Sequence, residues 1–179
     1  MSRRLLLVSA LCLLSVACTA FAAETATSVP TAAAIQLTLP GKPAIAVTAS
    51  TLATLPRKEV RAATHEEPLS SWQGVALVDV LRQAGAPLDK QLRGREMAKF
   101  VRVTATDGYQ IVFSLAELDA GFGNTTVLLV DQHEGKALSA EEGPFRLVVP
   151  GDKRAARWLR SLRSIELVDA ATTPANSAH

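Results

Sequence analysis

Beyond residue 34 no continuous apolar run exceeds what a short strand needs, and each is closed by turn-forming residues or a helix breaker: Pro40-Gly41, Pro56, Gly85, Asp107-Gly108, Glu134-Gly135 and Pro150-Gly151. Such a chain folds from short pieces. Ile35, Leu37 and Leu39 alternate with polar or small residues, the period of a half-buried strand, and residues 44–47 predict its hairpin partner. Thr48 or Ser50 is placed to cap a short helix through Leu55, and residues 59–64 read as a weaker strand. After Gly74, the spacing of Leu77, Val80, Leu81 and Ala84 predicts a helix stopped by Gly85. Residues 100–104 and 110–113 predict a hairpin turning at Asp107-Gly108. Ser114 can cap a helical turn over 115–118, and residues 127–130, 147–149 and 162–168 read as buried strands. Many strands, a few short helices and no regular strand-helix repeat indicate an α+β fold: a mixed β-sheet with short helices.

The chain has 179 residues, room for one domain. Residues 1–22 carry the three parts of a secretory signal: Arg3 and Arg4, an apolar stretch from Leu5 to Val16, and small residues at Ala20 and Ala22. Cleavage after Ala22 would place the protein in the periplasm or outside the cell, and no later stretch is apolar enough to span a bilayer. A rival reading makes Cys18 a lipidated N-terminus, with Ser15 where that signal expects a branched apolar residue. Residues 23–34 form a flexible tether, residues 35–169 the domain, and residues 170–179 a disordered tail.

Both cysteines, Cys12 and Cys18, lie inside the signal. Cleavage therefore leaves no thiol for a disulfide, a metal or nucleophilic catalysis. It also leaves 17 basic and 17 acidic residues, so nothing steers the protein toward nucleic acid and any functional charge is local. Aromatic residues are only 4% of the chain, which makes the core aliphatic.

No Gly-rich phosphate loop, nucleophile elbow or paired-histidine metal motif is present. His179 falls in the tail, His133 reads as a solvated turn residue, and His65 stands beside Glu66 and Glu67 in a loop. The informative stretch runs from Arg146 through Lys153, Arg154, Arg157 and Arg160 to Arg163, with Asp152 its one acid. Two destinations suit that charge. One is salt bridging to the nearby acids Asp131, Glu134, Glu141 and Glu142. The other is an anion site for a phosphate or carboxylate, with the Pro150-Gly151 backbone assisting.

Three blocks, Trp72-Gln73-Gly74-Val75-Ala76-Leu77-Val78-Asp79-Val80-Leu81, Ala105-Thr106-Asp107-Gly108-Tyr109, and Gly143-Pro144-Phe145-Arg146-Leu147-Val148-Val149-Pro150 with Trp158-Leu159-Arg160, together resemble the oxidoreductase molybdopterin-binding domain family, which includes the sulfite oxidases. The resemblance covers about residues 35–168 and implies that family's mixed-sheet fold, with either molybdopterin or no cofactor bound. It nominates Arg146, from the G-P-x-R-L motif, and Lys153, Arg157 and Arg160 as the grip on the pterin and its phosphate. The family ligates molybdenum through a cysteine before the W-x-G-V block. Here residues 60–66 read Val-Arg-Ala-Ala-Thr-His-Glu, and Ala or Thr cannot replace a thiolate. Two functions follow. The first is an exported, non-catalytic ligand-binding or partner module that keeps the fold and a basic anion site for a small anion or a pterin. The second is a molybdenum-cofactor-dependent oxidoreductase with non-cysteine ligation, using His65 or a neighbour. A redox or sensory protein is the expected macromolecular partner, and no nucleic acid is.

Overall fold

A computed structural model describes residues 34–171. The expected signal segment and the tether up to residue 33 lie outside the described residues, as do the tail beyond Ala171 and with them Cys12, Cys18 and His179. The described chain forms two five-stranded sheets and three short helices. The α+β reading holds.

In the first sheet the order is β2 (Ile45–Val47), β1 (Ile35–Thr38), β10 (Leu162–Asp169), β5 (Lys99–Ala105) and β6 (Gln110–Ser114). The expected alternation is realised: Ile35 and Leu37 of β1 and Ile111 and Phe113 of β6 are buried, while Gln36 and Val112 face outward. β1 and β10 pair in parallel, with Leu37 opposite Ile165, and the other pairs are antiparallel. Gly108 adopts φ +89 at the β5–β6 turn, where its N–H donates to the Ala105 carbonyl at 3.1 Å. A side chain there would strain the backbone, so Asp107-Gly108 is the hairpin tip that the sequence predicts.

The second sheet runs β3 (Arg57–Ala62), β4 (Ser70–Ala76), β7 (Leu128–His133) and β8 (Lys136–Ala137), with β9 (Arg146–Val148) also paired to β7. Since β7 has neighbours on both sides, Leu128, Leu129 and Val130 are all buried. One continuous core draws on both sheets, including Val103 and Ile165 from the first and Val75, Leu129 and Leu147 from the second.

Thr48, of the two proposed caps, is the N-cap of α1 (Ala49–Ala53), accepting from the Thr51 N–H at 3.3 Å. Helix α2 (Leu77–Gln83) buries Leu77, Val80 and Leu81, the expected face, and the chain turns out of it at Gly85 with φ +80. Ser114 caps α3 (Leu115–Leu118) through the Glu117 N–H at 2.9 Å.

Two readings need correction. Gly74 does not precede a helix directly; it lies within β4, a strand the apolar pattern did not announce. The ladder to β7 shifts register between Gln73 and Gly74, and a Cβ on Gly74 would stand 2.1 Å from the Leu129 carbonyl oxygen. Glycine is there because two backbones touch. His133, read as a solvated turn residue, is the last residue of β7, and the turn itself is made by Glu134 and Gly135, with φ 49 and 70.

Candidate functional site

Strand β4 delivers Trp72 to the core with no exposed surface, and cross-strand register sets His133 opposite it. The two rings stack with centroids 3.8 Å apart and planes 3° from parallel. Trp158, which follows a 3₁₀ turn at Ala155–Arg157, meets Trp72 edge-on at 5.8 Å and donates its indole N–H to the Val149 carbonyl at 2.9 Å.

Strand β9 brings Arg146 to these rings. Its Cζ lies 4.6 Å from the Trp72 centroid and 5.7 Å from that of Trp158, and its side chain is 1% exposed. A buried guanidinium needs carboxylates, and two reach it: Glu142 accepts from one terminal nitrogen at 2.6 Å and Glu67 from the other. The Arg146 Nε, Trp72 Nε1 and His133 Nε2 atoms are buried without hydrogen-bond partners. For the guanidinium, the nearby indole provides a π surface where an oxygen would otherwise serve.

Glu67 joins this buried centre to the surface, since the oxygen that takes Arg146 also accepts from Arg160 at 3.2 Å. Its backbone is fixed by a turn in which Thr64 N–H donates to the Glu67 carbonyl at 2.9 Å and Glu67 N–H to Thr64 Oγ1 at 3.0 Å. The rest of the loop is stitched to the 150s: His65 N–H donates to the Lys153 carbonyl at 3.0 Å, and Ala155 N–H to the Glu66 carboxylate at 3.1 Å. That N–H holds the Glu66 carboxyl below its ordinary value.

An open pocket of about 350 Å³ adjoins Glu67. Asp107 and Tyr109 of the hairpin tip, Ala155, Ala156, Trp158 and Arg160 line it as well. Tyr109 donates its hydroxyl to the Ala156 carbonyl at 3.1 Å, and its N–H donates to Asp107 at 2.8 Å. The half-exposed Tyr109 is thus a pocket wall, whereas Trp72 is core.

Of the five residues expected to bind a cofactor, only Arg160 lines this pocket. Arg146 sits behind it, sealed by its carboxylates. Arg157 is committed to Asp152, at 2.8 and 2.7 Å, and to Glu117 at 2.9 Å, and the Asp152 bond is the main cause of its raised pKa. Lys153 and His65 are exposed neighbours joined through backbone. Half of the basic cluster, Arg146, Arg157 and Arg160, is therefore salt-bridged, though mostly not to the acids expected. Asp131 pairs with Arg57 and Glu134 accepts from the Ser71 N–H, while Glu67 and Glu117, distant in sequence, take the arginines. Glu67 and Asp107 gave no sign of a site role in their spacing.

The family profile described as "Oxidoreductase molybdopterin binding domain" matches residues 56–175. The chain belongs to that family. As a molybdopterin-binding-domain protein it shares its fold with the sulfane dehydrogenase SoxCD from Paracoccus pantotrophus, at a TM-score of 0.58 and 19% identity over 76% of this chain. The matched part is 38% of the SoxCD chain, so this protein spans well under half the length of that relative. No curated protein sequence matches the chain.

The family implies a molybdopterin, whose metal and phosphate both need partners, and the pocket beside Glu67 offers neither a thiol nor an unpaired guanidinium. Residues 60–66, where the resemblance puts the ligating cysteine, supply no thiol. A phosphate in the pocket would meet two carboxylates and one guanidinium that is itself bonded to Glu67. What remains is a recess walled by Trp158, Tyr109 and alanine methyl groups, with room for a small flat molecule.

Proposed function

We propose that this member of the family is a non-catalytic binding module that holds a small ligand in the pocket beside Glu67. The observation that carries the reading is the state of Arg146. The motif arginine nominated to grip a cofactor phosphate is 1% exposed and neutralised by Glu67 and Glu142, so its charge supports the fold beneath the pocket. The missing thiol in residues 60–66 supports the same reading, because a thiolate's electronic contribution to molybdenum has no substitute among Ala, Thr and His there. Export to the periplasm or beyond is supported by the signal-like segment 1–22. A ligand-dependent contact with a redox or sensory protein fits a module that performs no chemistry of its own. Among the described residues no helix is long and apolar enough to cross a membrane.

Protein purified from its native host should contain far less than one molybdenum per chain by elemental analysis. Stoichiometric molybdenum would overturn this reading and restore the oxidoreductase with non-cysteine ligation.

A further inference from the structure

We propose that the protein pairs with a second copy of itself through the open edge of the first sheet. Strand β6 of one copy lies antiparallel to β6 of the other about a two-fold axis at Val112, and two five-stranded sheets become one continuous sheet.

The β5–β6 hairpin decides which backbone groups face outward. Ala105 N–H donates to the Tyr109 carbonyl at 3.0 Å, and the register sets Val103 opposite Ile111 and Val101 opposite Phe113. Tyr109, Ile111 and Phe113 thus spend their backbone groups on β5. Alternation turns the N–H and C=O of Gln110 and Val112, and the N–H of Ser114, the other way. Because β6 ends the sheet order, no strand among the described residues receives them.

The other sheet ends among the described residues are guarded. β2 is three residues long and is preceded by Pro43, β8 is two residues long and carries Lys136, and β3 carries Arg57, Lys58, Glu59 and Arg61. β6 has none of these defences. It reads Gln-Ile-Val-Phe-Ser, with an unbroken register to β5, no charge and no proline, and its middle side chain, Val112, is 54% exposed. Such an edge is a template for another strand.

Symmetry names the occupant. Val112 is the centre of β6, so antiparallel pairing of two copies sets Val112 against Val112 as a pair that exchanges both hydrogen bonds, and Gln110 against Ser114 on either side. Two exposed β-branched side chains meet, and an amide stands beside a hydroxyl. No unpaired charge is covered, since Arg102, the register neighbour of Val112, is held by Glu166. Pairing β3 with itself about Glu59 would instead oppose Glu59 to Glu59 and Arg57 to Arg61, like charges face to face. A charged peptide finds no complement on β6, whereas a second β6 matches it residue for residue. The hairpin tip, whose Asp107 and Tyr109 wall the pocket, then lies at one end of the seam in each copy.

The test uses the protein as its host produces it. Sedimentation equilibrium should show a dimer at about 100 μM that dissociates on dilution. Hydrogen exchange over residues 110–114 should slow as the dimer fills, while residues 57–62 of β3 exchange at an unchanged rate. At a dilution where the wild type is monomeric, Val112→Lys should melt like it, since the side chain is exposed; at higher concentration it should associate at least about tenfold more weakly, and Val112→Ile should retain association. A wild type still monomeric at about 100 μM, equal association of Val112→Lys and Val112→Ile, exchange over 110–114 that ignores concentration, or protection of β6 by a different protein in place of a second copy would each overturn the inference. The exchange measurement needs no variant, so the inference stays exposed to failure even if Val112→Lys does not fold.

Discussion

Arg146 and Arg157 keep similar formal company, two carboxylates and aromatic rings, in opposite surroundings. Arg146 is 1% exposed between Glu67, Glu142 and two indoles, while Arg157 is 31% exposed between Asp152 and Glu117, its Cζ 4.9 Å from the Phe113 ring. Water can take over the partners of Arg157 if they leave. It cannot reach Arg146. The comparison teaches that a basic run in a sequence is not one electrostatic object: burial divides it into a charge that organises the core and charges that decorate a rim.

Arg146→Ala should separate the two most strongly. It leaves Glu142 without its guanidinium and Glu67 with Arg160 alone beside an emptied core position, and a loss of about 3–5 kcal/mol in denaturant unfolding is expected. A loss under about 1 kcal/mol would make the two sites equivalent. Glu142→Gln keeps the shape and Glu67, and removes one charge-assisted bond of 2.6 Å; about 1.5–3 kcal/mol should go. Arg157→Ala should cost at most about 1 kcal/mol, and raising the salt concentration should shrink that cost while leaving the Arg146 deficit nearly intact. A salt-insensitive Arg157 deficit would mean that its pairs are shielded like those of Arg146.

The smallest effect is a pH effect at the loop that covers Arg146. The folded Glu66 carboxyl titrates below its unfolded value because the Ala155 N–H donates to it. Its contribution is therefore present above the unfolded pKa and fades as pH falls through the folded one. Glu66→Gln should flatten the acid side of the melting-temperature profile slightly, with no change near neutrality. An identical acid limb in wild type and variant would show that the loop is not held at this contact.

How much of this was legible before the structure depended on whether neighbours in space were neighbours in sequence. The alternation of Ile35, Leu37 and Leu39, the Asp107-Gly108 tip and the Ser114 cap are local, and each emerged as read. β4 was hidden because Gly74 looks like punctuation until the Leu129 backbone is known to lie against it. His133 looked solvated because its stacking partner, Trp72, is a register neighbour on another strand. The three motif blocks were enough to suggest the family. The pocket was not legible, since Glu67, Asp107 and Arg160 meet only after the 63–69 loop, the hairpin tip and the 155–160 segment have been folded together.

The pairing of β1 with β10 sets an order of events. In the first sheet, the strand nearest the start of the described chain lies parallel against the one nearest its end, and β10 is also the link between the β1–β2 hairpin and the β5–β6 hairpin. A ribosome delivers the two hairpins long before the strand that must sit between them. Until residues 162–169 emerge, the sheet is two separate ribbons with open edges, and a lone hairpin is marginally stable at best in water. Sheets dominated by such non-local pairings fold in milliseconds to seconds. The first sheet therefore closes only once β10, the last strand among the described residues, is in place, and loss of that strand alone would leave the two hairpins unjoined.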